Sequence, residues 1–254
     1  MEEQKEKKVE AQKEKKKMNF PSAPVPPVQS TPGQICRMTL ATIIGKGNKV
    51  ERHEKMNHLK RENLRLKTGD ALLIVDVQND FLPGGSLVVP NGDKVIPAFN
   101  RYIELVQSKG LPLFATRDWH PKDHCSFKEQ GGPWPPHCIV DSEGAQFASE
   151  LRLPDLAIII SKGEAIDDDN YSCFLRTDLD KRLRSARIVR LLIGGLATDY
   201  CVLHTVKDAL KHGYEVLFLE DAIRAVNVHP EDGEKAEEEM TSLGAIPING
   251  EMLG

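Results

Sequence analysis

Ile188-Val189-Arg190-Leu191-Leu192-Ile193-Gly194-Gly195-Leu196-Ala197-Thr198-Asp199-Tyr200-Cys201-Val202 decides how the chain is read. An apolar β run, Ile188 to Ile193, enters a glycine turn, and a helical pattern leaves it from Val202 to Lys211. Cys201 therefore falls at a strand-to-helix junction, where the first N–H groups of a helix have no intrahelical partner. Those donors and the helix dipole favour thiolate, and the same donors suit an oxyanion. A lone cysteine under a tight turn is more often packing than chemistry, so the rest of the chain has to supply its partners.

Upstream, Ala71-Leu72-Leu73-Ile74-Val75 ends in Asp76, as a parallel strand buried on both faces would. Asp93 to Lys109 has helical periodicity, with Val95, Ile96, Phe99, Ile103 and Val106 on one side and Gly110 as a stop. Leu113 to Thr116, Leu156 to Ile160, Glu215 to Leu219 and Ile246 to Ile248 supply further strands. Phe147 to Leu151 reads as a helical turn, and Asp178 to Ser185 and Pro230 to Leu243 as helices. Alternating strands and helices predict an α/β fold: three layers, doubly wound, on a mainly parallel sheet of about six strands. In such sheets the site lies beyond the carboxyl ends of the strands, near a switch in strand order. Asp76, Asp118, Lys162 and the turn before Cys201 should then meet on one rim.

Asp76, Lys162 and Cys201 form a chemically complete set: a nucleophile, a group to take its proton, and a cation to hold negative charge nearby. Asp118-Trp119-His120 offers a second set. Residues i and i+2 of an extended segment point to one side, so Asp118 and His120 reach one ion, with His137 returning from the following loop. One carboxylate and two imidazoles suit Zn²⁺, with Fe²⁺ or Mn²⁺ as alternatives. His124 is either a fourth ligand or a donor behind the ligands. Phe81, Trp119, Trp134 and Tyr171 follow strand ends rather than apolar stripes, which suits a flat aromatic ligand and favours a pocket role for Phe81 and Trp134. His204 lies one helical turn beyond Cys201, in a direction that leads away from the cleft. Cys125, Cys138 and Cys173 lack a strand-end setting and read as spectators.

The remaining sequence narrows the class. A formal charge of −4 gives no general attraction to nucleic acid or anionic membrane, and no apolar run approaches a membrane span. Five cysteines without a repeating spacing fit a reducing, cytoplasmic setting better than a disulfide framework. Residues 1–34 are charged and then proline-rich, which predicts a disordered extension; 35–69 are partly helical in pattern, and the catalytic domain is expected over 70–254.

With these residues assembled, about 70–250 resemble the nicotinamidases of the isochorismatase-like cysteine hydrolase superfamily. The resemblance rests on Ile74-Val75-Asp76-Val77-Gln78-Asn79-Asp80-Phe81, Thr116 to Pro121, Trp134-Pro135-Pro136-His137-Cys138, Lys162-Gly163 and the Gly194–Val202 turn. It implies Cys201 as nucleophile, Asp76 as general base and acid, and Lys162 as electrostatic partner. It further implies a metal on Asp118, His120 and His137, a ring sandwiched by Phe81 and Trp134, and an oxyanion hole from the N–H groups of Ala197 and Cys201. A cis peptide at Leu196–Ala197 belongs to the same pattern. Cys173 departs from it, standing where a glycine is common, and so does Asp141-Ser142, where Gly-Thr is common. The implied reaction is conversion of nicotinamide to nicotinate and ammonia, in a protein that leaves homo-oligomerisation open. The alternatives are an amidase of the same superfamily acting on a ureido or carbamoyl substrate, or a non-catalytic binding module.

Overall fold

The computed structural model describes residues 64–253. The extension over 1–34 and residues 35–63 of the second segment lie outside the described residues. Six strands form one sheet: β1 (Asp70–Val75), β2 (Leu113–Asp118), β3 (Ile158–Lys162), β4 (Arg190–Leu196), β5 (Glu215–Arg224) and β6 (Ile246–Ile248). Their order is β3-β2-β1-β4-β5-β6, and every neighbouring pair is parallel. The chain builds outward from β1 in one direction and from β4 in the other. The switch point therefore lies between the ends of β1 and β4, directly before Asp76 and the Cys201 turn.

β1 is buried along its whole length, which explains its unbroken apolar run. Period-two alternation splits that run between two cores. Leu72 and Ile74 pack with α1 (Val95–Ser108), whose buried face includes all five apolar residues of the periodic pattern and Tyr102. Ala71, Leu73 and Val75 pack on the opposite face with α2 (Leu179–Ser185), α3 (Leu203–Lys211) and Met240 of α4 (Asp232–Ser242). The three layers are those the pattern predicts. Among the described residues no helix is long and apolar enough to cross a membrane.

The differences from the sequence reading lie at the ends of elements, and they matter to the site. β2 and β3 each run two residues further than expected, so Asp118 and Lys162 are the last residues of their strands rather than followers of them. They are direct partners across the ladder. β4 extends through Leu196, and the junction before α3 is a five-residue π-helical turn, Thr198–Val202. Cys201 thus sits within a wide turn, not at the first position of a regular helix. Phe147 to Leu151 is not helical; Phe147 bridges Gln78 instead. The Leu196–Ala197 peptide is cis, as the resemblance implies.

The close approach of β4 to β1 depends on Gly195. Its φ is +136°, and a Cβ there would lie 2.0 Å from the Val75 carbonyl oxygen. A side chain would push apart the two strands whose ends carry Asp76 and the Cys201 turn. Gly195→Ala is expected to lower stability by at least about 2 kcal/mol through clash and backbone strain combined. Urea denaturation followed by circular dichroism checks this, and an unchanged midpoint would contradict the packing described.

Candidate active site

The register of the sheet sets the side chains at one rim. Val75 pairs with Thr116 on one side and Gly195 on the other, so Asp76, one residue on, emerges between β2 and β4. Asp76 leaves the strand with φ +50°, which turns the backbone out of the ladder. Asp118 and Lys162 end the next two strands at the same level.

Lys162 is the centre of the cluster. Its Nζ lies 2.9 Å from Asp76 Oδ2, 2.5 Å from Asp118 Oδ1 and 3.4 Å from Cys201 Sγ. All four side chains are buried. Burial alone would drive the ammonium to lose its proton, but Asp118 and Asp76 beside it outweigh that and hold its pKa well above the ordinary lysine value. Burial tends to raise Asp118 too, yet Lys162 and His120 keep its carboxyl well below the usual range. Asp76 comes out the other way: burial raises it, and Lys162 only partly opposes this.

Burial likewise pushes the Cys201 thiol well up, with Lys162 as the partial counterweight. Burial therefore opposes the thiolate that the turn and Lys162 favour, and an acceptor within the cluster would help the thiol lose its proton. Asp76 is placed for that, since one of its carboxylate oxygens lies within 4.8 Å of Cys201 Sγ.

Asp118, His120 and His137 offer ligand atoms that all lie within 4.8 Å of one another. Each imidazole is oriented from behind. His120 Nδ1 is 3.0 Å from the Gly163 carbonyl and His137 Nδ1 is 2.8 Å from the Pro135 carbonyl. Nδ1–H donation to those oxygens leaves both Nε2 lone pairs for a cation, the usual arrangement behind metal-bound histidine. Gly163 is required here, because a Cβ would come within 2.4 Å of the His120 ring. Asp118, held ionised by Lys162 and His120, puts a carboxylate beside the two imidazoles. The donor set and its charge fit a divalent cation. His124 has other partners: Nδ1 is 2.7 Å from Ser126 Oγ and Nε2 is 3.0 Å from the Asp168 carbonyl.

The long loop after β2 is tied back to reach this rim. The His120 N–H donates to the Cys138 carbonyl and the Val140 N–H to the His120 carbonyl, which fixes His137 beside His120. Gln78 clamps the same region: its amide donates to the carbonyls of Asp118 and Ala145 and accepts from the Asp118 N–H. Phe81 and Trp134 line one pocket with Cys201, Asp118 and the two histidines. Phe81 is 5.7 Å from the His137 ring, and the Trp134 indole N–H donates to the Tyr171 hydroxyl at 3.0 Å. His204 lies against Tyr171, with ring centroids 5.4 Å apart.

Sequence reasoning missed Gln78, Thr116 and Tyr200. Tyr200 packs edge-on to Trp134 at 5.0 Å and lines the pocket; it stood in the decisive stretch, one residue before the cysteine. Thr116 donates to Asp76 Oδ1 at 2.7 Å, and its i, i+2 relation to Asp118 was the available signal. Gln78 carries no signal beyond its nearness to Asp76.

Comparison with known proteins agrees with this geometry. Residues 70–252 match the isochorismatase domain. The chain belongs to the isochorismatase family. The nicotinamidase of Escherichia coli is 43% identical over 196 residues, covering 69% of this chain and 92% of that protein. A pyrazinamidase of Pyrococcus horikoshii, solved in complex with zinc, superimposes with a TM-score of 0.69 at 50% identity, over 71% of this chain and 99% of its own. A protein of L. infantum, solved in complex with nicotinate, gives 0.68 at 36% identity, over 75% and 97%. These solved structures share the fold of this chain over most of their own length.

His137→Ala is expected to lower metal content at least tenfold while the fold persists, since loss of one of three protein ligands costs affinity on that order or more. Elemental analysis of both purified proteins, with circular dichroism as the fold control, reads the outcome. Equal metal content would remove His137 from the ligand set.

Proposed function

We propose that this isochorismatase-family member is a nicotinamidase, hydrolysing nicotinamide to nicotinate and ammonia. The carrying observation is the single pocket that joins Cys201, the Asp118–His120–His137 donor set and the rings of Phe81 and Trp134. A cysteine nucleophile alone would suit any amide. The donor set beside an aromatic slot selects a flat ring with a lone pair at its edge. The kinship with nicotinamidases and with structures solved with zinc or nicotinate supports the same substrate.

The proposed sequence begins with a neutral thiol and an ionised Asp76. Cys201 Sγ bonds to the carboxamide carbon as its proton passes to Asp76, and the carbonyl oxygen becomes an oxyanion facing the N–H groups of Ala197 and Cys201. Collapse breaks the C–N bond while Asp76 returns that proton to nitrogen, so ammonia leaves and a thioester remains. Asp76 then takes a proton from water as it attacks the thioester. Collapse frees nicotinic acid, which ionises to nicotinate by giving its proton to solvent, and the proton held by Asp76 goes back to sulfur. Lys162 stays protonated throughout and stabilises whichever of Asp76 or Cys201 is negative. Asp118, His120 and His137 would hold the divalent ion, with zinc the first choice, and when bound it supplies a Lewis acid for the pyridine nitrogen. Phe81, Trp134 and Tyr171 hold the ring. The physiological role that follows is recovery of nicotinamide for NAD synthesis, in a cytoplasmic protein.

Cys201→Ala should abolish ammonia release, with a loss of at least about 10⁴-fold expected for removal of a covalent nucleophile. Nicotinate binding, measured by calorimetry, should stay within a few-fold of the unaltered protein. Ammonia release coupled to glutamate dehydrogenase reads the first. A variant that still turned over nicotinamide normally would falsify the mechanism, whereas an unaltered protein active only on ureido or carbamoyl amides would overturn the substrate.

A further inference from the structure

Behind Asp76 lies a row of hydrogen-bonding groups for which the proposed reaction has no use. Thr116 Oγ1 is 2.7 Å from Asp76 Oδ1. Cys173 Sγ is 3.2 Å from Thr116 Oγ1 and 3.2 Å from Thr205 Oγ1, and the Cys173 N–H lies 3.1 Å from Thr205 Oγ1. Thr116, Cys173 and Thr205 are wholly buried, at 0% exposure each, so the row is shielded from solvent along its length. They come from β2, the loop before α2, and α3.

The direction of this row follows from its geometry and from the carboxylate at its end. Thr205 Oγ1 accepts from the Cys173 N–H, and its own hydroxyl donates to Cys173 Sγ. The thiol hydrogen then goes to Thr116 Oγ1, which leaves the Thr116 hydrogen for Asp76 Oδ1. Burial pushes the Cys173 thiol up to about 12, which keeps that hydrogen in place near neutrality. The other carboxylate oxygen differs. Asp76 Oδ2 has no aligned hydrogen bond, although it lies 2.9 Å from the ammonium that also touches Cys201 Sγ.

We propose that Thr116 is a positioning residue for Asp76, held in direction by Cys173 and Thr205, which occupies Oδ1 and leaves Oδ2 as the oxygen that exchanges the proton with Cys201. The assignment rests on the proposed role of Asp76 as general base. It gives Cys173, which looked like a spectator, a definite task. A carboxylate free to rotate or to protonate on either oxygen would lose the proton to the wrong side. One locked from behind presents a single basic atom.

Four variants test this: Thr116→Val, Thr116→Ser, Cys173→Ala and Cys173→Ser. The readouts are kcat and KM for nicotinamide, and the rate of Cys201 alkylation by iodoacetamide without substrate, followed on the Cys201 peptide by mass spectrometry. Thr116→Val is expected to lower kcat about 10- to 100-fold, part of the contribution of a well-placed general base, with KM within about twofold. Alkylation should slow in step. Thr116→Ser should recover to within about threefold, and Cys173→Ala should fall about three- to tenfold while Cys173→Ser stays nearer the unaltered protein. Thr116→Val with unchanged kcat and alkylation overturns the proposal, as does an equal loss in Thr116→Ser, which would mark a packing role. If Thr116→Val does not fold, the Cys173 pair decides alone, and unaltered rates in Cys173→Ala overturn it. Absence of nicotinamide turnover in the unaltered protein would sink the functional reading instead, and the alkylation rates would still test the positioning.

Discussion

Lys162 Nζ touches Asp76, Asp118 and Cys201 at once, and the rim of the sheet is built to make that contact. A fully buried ammonium is costly unless opposite charge and hydrogen bonds surround it. Here both carboxylates that surround it sit at or just beyond strand ends, one across the β2–β3 ladder and one at the end of β1. A slip of one residue in either register would turn a charged side chain to the other face of the sheet. Register, charge pairing and the placing of Cys201 are therefore a single constraint.

The same ammonium accounts for a buried site that handles negative charge without changing its total. In the proposed resting cluster Asp76, held beside the Lys162 ammonium against the upward push of burial, carries charge, and the Cys201 thiol, which burial pushes well up, does not. Transfer of the proton moves the charge from a carboxylate 2.9 Å from Nζ to a sulfur 3.4 Å from it. Lys162 loses one close partner and gains another, so the desolvation term changes little between the two states. A solvated surface cysteine would gain its thiolate more easily, but it would lack a base held against the reacting bond. Coupling rather than a low thiol pKa is what this geometry offers.

Much of this was legible because the sheet converts sequence position into spatial position. An apolar run ending in Asp76, and Asp118 two residues from His120, carry their meaning once parallel strands are inferred. The glycines before Cys201 read in the sequence as a turn; the structure puts them inside β4, where Gly195 lets that strand approach β1, with a Cβ position 2.0 Å from a carbonyl oxygen. What stayed hidden lies in groups whose role is to orient others. Gln78 makes three hydrogen bonds around Asp118, yet a glutamine after a strand has no periodicity or spacing to betray it. The π-helical turn was equally invisible, since the helical pattern runs smoothly through Cys201 while the backbone hydrogen bonds there widen to five residues. Strand ends were set too short at β2, β3, β4 and β5, which runs to Arg224, because polar and glycine residues close those strands, and tertiary pairing overrides their weak β preference.

The two halves of the site come from different parts of the chain and are held by different means. Asp76, Lys162 and the Cys201 turn are fixed by the ladder hydrogen bonds of β1, β3 and β4 with their neighbours. His137 and Trp134 hang from the long loop after β2, whose place depends on the bridges of His120 to Ile139 and of Phe127 to Trp134. Loops vary more freely than the strands they connect. Altering the loop would change which ring is held while leaving the cysteine chemistry intact, so substrate choice is separable from bond cleavage. Asp118 is where they meet: one carboxylate oxygen engages Lys162 while its neighbours are the imidazoles of the donor set. A group bound at that set and the charge of the catalytic cluster therefore act on the same side chain, and neither half can be altered there without the other sensing it.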